Sequence, residues 1–367
     1  DQIQYFKVTQ YFFFKQWSEL KHYANQKGIK IIGDMPIYVA ADSVEVWTKP
    51  ELFQLDKERN PLFVAGVPAD QFSATGQLWG NPLYDWKEHK KQGYTWWIHR
   101  IEESFKIYDV LRIDHFKGFS DYWQVDGKAD IAKYGTWQPG PGYDLFKVVK
   151  EQLGDLPIIA EDLGNIDEKA RKLLTDCNYP GMKILQFGFE DVSGKSLDSP
   201  HYCIPHSIAY TGTHDNDVTN GWYNGLTAQQ QQYINDYTHR HNDESICQAM
   251  IRQLFATVNN TAIATMQDIL DSPASSRMNI PSTIGGNWQW RMQKSDLTQD
   301  KKDFLAKMTT LYQRANQEIP MIKFSTFVKN KTNKSLEQLS DKETYIQLLN
   351  YVKTLSADKP KNTGKRK

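Results

Sequence analysis

The chain has no excess charge of either sign: 44 Lys and Arg stand against 44 Asp and Glu in 367 residues. A neutral chain offers no field for nucleic acid or an anionic membrane, so neither is expected as a partner. Cysteine is scarce, and Cys177, Cys203 and Cys247 are scattered with no CxxC spacing. This excludes a disulfide framework and a thiolate zinc site, and it points to reduced thiols in a cytoplasmic protein. No apolar run approaches the ~18 residues that a membrane helix needs. The opening DQIQYFKVTQ lacks the basic and apolar regions of a signal peptide. It also lacks an initiator Met, so the chain is expected to begin inside something larger. Neither GxGxxG nor GxxxxGK[ST] occurs, and no metal-ligand spacing stands out, so no cofactor and no metal are expected. Aromatic residues, by contrast, are plentiful. Of eleven Trp, six lie between Trp79 and Trp137, which suits a protein that stacks rings on sugars, although a large core also uses Trp.

Short apolar runs alternate with helical patterns. YFFFKQWSELKHYANQKG sets Phe13, Trp17, Leu20 and Ala24 on one helical face and stops at Gly28. IKIIGDMPIYV follows as a strand ending near Asp34. DVLRIDHFKG closes on Arg112, Asp114 and His115, and LPIIAEDLG on Glu161 and Asp162. The helix after it opens at Asn165 or Asp167. GMKILQFGFED, HSIAYTGTHDND and TAIATMQDIL repeat the scheme. Strands alternating with helices predict a parallel sheet. Polar residues gathered at several strand C-termini predict, more narrowly, a (β/α)8 TIM barrel, whose chemistry sits at that face.

Only six such strands are legible, so the barrel is expected to be incomplete, lacking its first two strands over residues 1–316. Two unpaired edges predict poor stability for this chain alone. The interval of about 40–105 is too long for one crossover and reads as an inserted aromatic-rich lobe, while 317–367 reads as a helical or disordered extension with a solvated basic tail.

Three acids ending three strands fit glycosidic bond chemistry: one carboxylate attacks the anomeric carbon, a carboxylic acid protonates the leaving oxygen, and a third acid steadies the charge that develops. Arg112 lies two residues before Asp114, hence on the same strand face, where it would keep that carboxylate ionised. Each residue also has a blander reading. THDND is a good helix cap, Arg112 a good structural ion pair, His115 a good core histidine and Trp79 good packing. Asp162 beside Glu161 points to the other side of its strand.

LRIDHFKG, IIAEDLG and YTGTHDND, in that order, resemble the strand-end signatures of the 4-alpha-glucanotransferases, the amylomaltase or disproportionating-enzyme family of the α-amylase clan. GDMPIYVAADSVEVW, LWGNPLYDW, MKILQFGF and RMNIPSTIGGNWQWR resemble further blocks, so the likeness runs from about Gln10 to Arg291. The resemblance implies Asp114 as nucleophile, Glu161 as general acid/base and Asp215 as transition-state stabiliser. It places His214, Asp34, Gln77, Trp79 and Asp191, with Arg112, among the glucan-binding residues. It implies α-1,4-glucans as donor and acceptor, with retention by double displacement. An α-amylase-like hydrolase and an inactive glucan-binding remnant are the alternatives.

Overall fold

The computed structural model describes residues 2–69, 73–164, 166–281 and 283–314. Its strands are β1 (Ile32–Met35), β2 (Phe63–Val67), β3 (Gln77–Pro82), β4 (Val110–Ile113), β5 (Asp121–Asp126), β6 (Gly135–Pro139), β7 (Ile158–Ala160), β8 (Gly181–Ile184), β9 (Ser207–Tyr210) and β10 (Thr261–Ile263). The six strands expected from the sequence are all there and all parallel. They form two ladders, β1-β4-β7 and β8-β9-β10. The ladders meet at β7 and β8, where Ala160 N–H donates to Pro180 O at 3.0 Å. Among the described residues no strand pairs with the outer edge of β1 or of β10.

Side chains alternate across this sheet with period two. Leu111, Ile113, Ile158 and Ala160 pack outward with Trp97, Ile101, Leu145 and Phe146 of the covering helices. Ile159, Met182, Ile184, Ile208 and Tyr210 cluster on the other face. Asp34, Arg112 and Ile159 are cross-strand partners, so the two polar residues belong to that second, inner face. Asp162 takes the opposite side, as expected, and its carboxylate accepts from Met182 N–H at 2.6 Å. Gly181 leaves the room: a Cβ there would come within 2.3 Å of the same carboxylate. Removing this acceptor orphans a strand amide, which costs about 1–3 kcal/mol. Asp162→Ala is therefore expected to lower urea-unfolding stability by that amount.

The inserted lobe is a four-stranded antiparallel sheet in the order β3-β2-β5-β6. Half of it comes from outside 40–105: β5 and β6 lie at 121–139, with Phe63 opposite Asp126 and Trp123 opposite Trp137. The helix Thr95–Ile107, inside that interval, instead buries Trp97 and Ile101 in the main core. The first compact unit is Asp1–Leu297, ending ahead of the expected boundary at 316, because a new helix, Gln299–Leu311, starts the second unit, Thr298–Lys367. Residues 317–367 lie outside the described residues.

The first helix, Gln2–Gln26, also departs from expectation. It buries none of its residues, and Phe13 and Leu20 remain half exposed. Of the expected apolar face only Trp17 and Ala24 are partly covered, Trp17 with its indole N–H on Ile107 O at 2.8 Å. The helix after β7 begins at Glu168, and of its two candidate caps Asp167 does the work, accepting from Ala170 N–H. Asn165 lies outside the described residues. Among the described residues no helix is long and apolar enough to cross a membrane.

Candidate active site

The acids converge around one buried cation. Arg112, 7 % exposed, donates through one nitrogen to Asp34 at 2.5 Å and reaches Asp114 at 3.2 Å. Its Nε points at Met182 Sδ, 3.4 Å away. Burial works against the Arg112 charge, but the Asp34 and Asp114 carboxylates outweigh it and its pKa rises. Two carboxylates on one guanidinium hold each other apart and fix the direction of Asp114.

Glu161 stands beside this pair, 9 % exposed. Its two oxygens accept backbone N–H groups, His115 at 2.7 Å and Leu163 at 2.8 Å. The chain after β4 is tied to it again by Phe116 N–H to Glu161 O at 3.0 Å. Burial, then the Asp114 charge, push the Glu161 carboxyl up to about 7, against the pull of Arg112 and the two amides. Asp114 is also raised, first by burial and then by Asp34 and Asp215, with Arg112 opposing.

Asp215 goes the other way. Burial would raise it, yet hydrogen bonds from His214 and Asn279 bring it below its ordinary value. The His214 Nε2 is 3.2 Å from one oxygen and Asn279 donates to the other at 2.7 Å. Arg277 donates to the Asp215 carbonyl at 2.8 Å. His214 is raised in turn, chiefly by that hydrogen bond to Asp215. So one carboxyl keeps its proton near neutrality and another is held ionised, the division of labour that acid–base chemistry uses.

The residues that end the β9 run form a turn. Asn216 Oδ1 accepts from Thr213 N–H and Oγ1, both at 2.8 Å, and Gln186 donates to Asp217 O at 2.9 Å. These side-chain bonds to the backbone, with Asp215 N–H on Thr213 Oγ1 at 3.3 Å, halt the strand and present His214 and Asp215 at its C-terminal end. The helix-cap reading of THDND fails: the next helix, Thr219–Gly225, has Val218 at its N-cap with no side-chain cap bond, and its Thr219 N–H goes to Asp268 at 2.9 Å.

Gln77 and Trp79 sit on β3 of the lobe, with the Trp79 indole N–H donating to Gln77 Oε1 at 3.3 Å. Trp79 is 37 % exposed and sets its plane edge-on to the His115 ring, 4.8 Å between centroids. Asp191 is not joined to this cluster by any contact among the described residues. It caps the helix Leu185–Glu190 beyond β8, exposed, and its carboxylate is taken by Ser193 N–H and Oγ at 2.8 and 2.6 Å.

Sequence reading missed Tyr210, Arg277 and Asn279. Tyr210 faces inward on β9, where burial pushes its phenol up to about 12 and Arg112 and Asp34 are both felt. Period two from His214 through Gly212 would have found it. Arg277 and Asn279 arrive from more than sixty residues downstream; they open the RMNIPSTIGGNWQWR block, but nothing in its pattern assigns them a partner.

Two clefts lie at opposite ends of the parallel strands. One of about 220 Å³ is lined by Thr213, His214, Asn216, Met278 and Trp288. A larger one of about 480 Å³ opens between Ile32, Val110, Ile158 and Thr261, at the N-terminal ends of the strands. Size favours the second, but none of the convergent acids lines it, and that face of such sheets serves stability. The chemistry belongs to the other end.

A family profile described as 4-alpha-glucanotransferase matches residues 1–300. The chain is 50 % identical over 324 residues to a 4-alpha-glucanotransferase of Streptococcus pneumoniae serotype 4, covering 88 % of this chain and 64 % of that protein. It is 45 % identical over 318 residues to one from Clostridium butyricum, covering 86 % and 65 %. An amylomaltase from Streptococcus agalactiae, solved in complex with acarbose, superposes with TM-score 0.84 at 60 % identity over 86 % of this chain and 63 % of that one. The chain thus spans a little under two thirds of the relatives it matches.

Proposed function

This chain belongs to the 4-alpha-glucanotransferase family, and we propose that it carries the catalytic face of a retaining enzyme that moves α-1,4-glucan segments between acceptors. Asp114 attacks the anomeric carbon while Glu161 gives its proton to the leaving 4-oxygen. The glucosyl ester on Asp114 is then opened by the 4-hydroxyl of a second glucan, whose proton returns to Glu161. Two displacements at one carbon retain configuration. Asp215, held ionised with His214, grips the ring hydroxyls and strengthens its hold as positive charge develops. Asp34 with Arg112, and Gln77 with Trp79, line the glucan path; Asp191 joins it by binding a more distant sugar unit. The six parallel strands are consecutive staves of a (β/α)8 barrel lacking its first two, and the lobe on β2, β3, β5 and β6 shelters the acceptor side from water. Reduced thiols at Cys177 and Cys247 support a reducing, cytoplasmic setting.

The observation that carries this reading is the electrostatic split between Glu161, raised to about 7, and Asp215, lowered, both felt by the Arg112-clamped Asp114. Maltotriose supplied alone tests it. Glucose together with longer maltodextrins is the expected product ladder; shortening alone would mark a hydrolase, and binding without turnover an inactive remnant.

Asp215→Asn is expected to lower kcat about 10²–10³-fold with little change in KM, the loss seen when one transition-state stabiliser is removed. The His214 pKa, followed by NMR titration, should fall at the same time, since Asp215 is what raises it.

A further inference from the structure

One residue touches both the lobe and the acid/base. His115 follows Asp114 directly and adopts left-handed backbone, φ 50° and ψ 50°, a conformation that a non-glycine residue holds at a cost of roughly 1–3 kcal/mol. Two contacts impose it. The backbone N–H is spent on Glu161 Oε2 at 2.7 Å. The ring is wedged against the edge of Trp79, with Tyr38 on another side at 6.5 Å between centroids. Below it, Gly118 has no side chain to displace the ring: a Cβ there would come within 3.1 Å of His115 Cδ2. Burial, then Lys117, lower the imidazole to about 4, so at neutral pH the ring is an uncharged packing body.

We propose that His115 is a positioning residue that transmits sugar occupancy on Trp79 to the carboxyl group of Glu161. This rests on the reading of Glu161 as acid/base and Trp79 as a sugar platform. A pyranose stacked on Trp79 fixes the indole, the indole fixes the His115 ring, and the ring fixes the amide that Glu161 accepts. A backbone N–H aimed at a carboxylate favours its ionised form. An occupied platform therefore biases Glu161 toward the base, which the second step needs to take the proton from the acceptor hydroxyl. An empty platform relaxes that bias, and the ester then waits for an acceptor.

The charges around this relay are Arg112 from β4 and Asp114 just beyond it, facing Glu161, and Lys117, facing His115. The variants below leave all three in place. In the intact protein, Trp79→Leu and His115→Gly are each expected to move the basic limb of the kcat pH profile, which reports the glucan-bound enzyme, upward, because both loosen a hydrogen bond to the ionised acid. Each should lower the ratio of transfer to hydrolysis on maltotriose roughly tenfold, the effect of weakening one hydrogen bond to a charged group. Glycine accepts the left-handed backbone, and His115→Asn, which also tolerates it, stands in should the glycine variant not fold. The double variant decides: a limb and a product ratio no further displaced than in either single variant support the relay. Additive effects, or a His115 variant whose melting temperature drops while the limb stays fixed, overturn it. Glu161→Gln separates the two levels. Full activity in that variant removes the acid/base reading and the relay with it, whereas lost activity beside an additive cycle removes the relay alone.

Discussion

Replacing Asp114 by Asn in the intact protein is expected to abolish disproportionation of maltotriose, by on the order of 10⁴-fold or more, with the fold retained. Side chains that act as one unit lose most of their joint effect when the nucleophile alone is removed. The substitution keeps the size of the side chain and its place two residues beyond Arg112. It replaces the oxygen nucleophile with an amide and leaves Arg112 paired to Asp34 alone, a contact already at 2.5 Å. Stability should change little, because the Asp114 carboxyl is held above its ordinary value by burial, and losing a charge that its surroundings disfavour offsets the lost ion pair. Steady-state product ladders together with urea unfolding check both halves.

The second large effect concerns Glu161 and depends on pH. Glu161→Gln removes the proton donor and should cost about 10²–10⁴-fold with ordinary glucans. A glucosyl fluoride, whose leaving group needs no proton, should be far less affected in the first step. The wild-type rate should fall as pH rises past about 7, and the variant should lack that limb. Stability gives an independent readout. The folded-state pKa of Glu161 lies above the ordinary 4.5, so the folded protein holds this proton more tightly than the unfolded chain does. The contribution is fully present below about pH 4.5 and is lost as pH climbs to about 7, a change of roughly 3 kcal/mol. In Glu161→Gln that slope disappears. The amide cannot accept both the His115 and Leu163 N–H groups, so the variant is the less stable protein in acid, and the gap narrows as pH rises through 7.

The six parallel strands were legible because they are short apolar runs, β4, β7, β8 and β9 largely buried on both faces, and because β1, β4 and β7 run into charged side chains at their ends. The placement of Arg112 with Asp114, and of Asp162 away from Glu161, followed from period two alone. The lobe was only half legible. Antiparallel partners such as Ala65 and Gln124, or Trp123 and Trp137, are set by long-range register, and the polar stretch at 121–139 has no apolar alternation to announce a strand. Helical spacing marked the first helix but did not say what it packs against: Phe13 and Leu20 share its apolar face yet stay half exposed. The left-handed turn at His115 was invisible too, since the residue type does not require it; the hydrogen bond to Glu161 does. His214 and Asp215 were legible in position, but their electrostatics depend on Asn279, more than sixty residues away.

Double displacement requires that Asp114 form a covalent bond to the sugar. A fluorinated maltosyl fluoride, which slows turnover of the ester, should be incubated with the intact protein, and the digest read by tandem mass spectrometry. One added maltosyl unit on the peptide bearing Leu111–Phe116, located at Asp114, is the predicted result. An adduct on any other side chain, or turnover of the probe with inversion and no adduct, would contradict it.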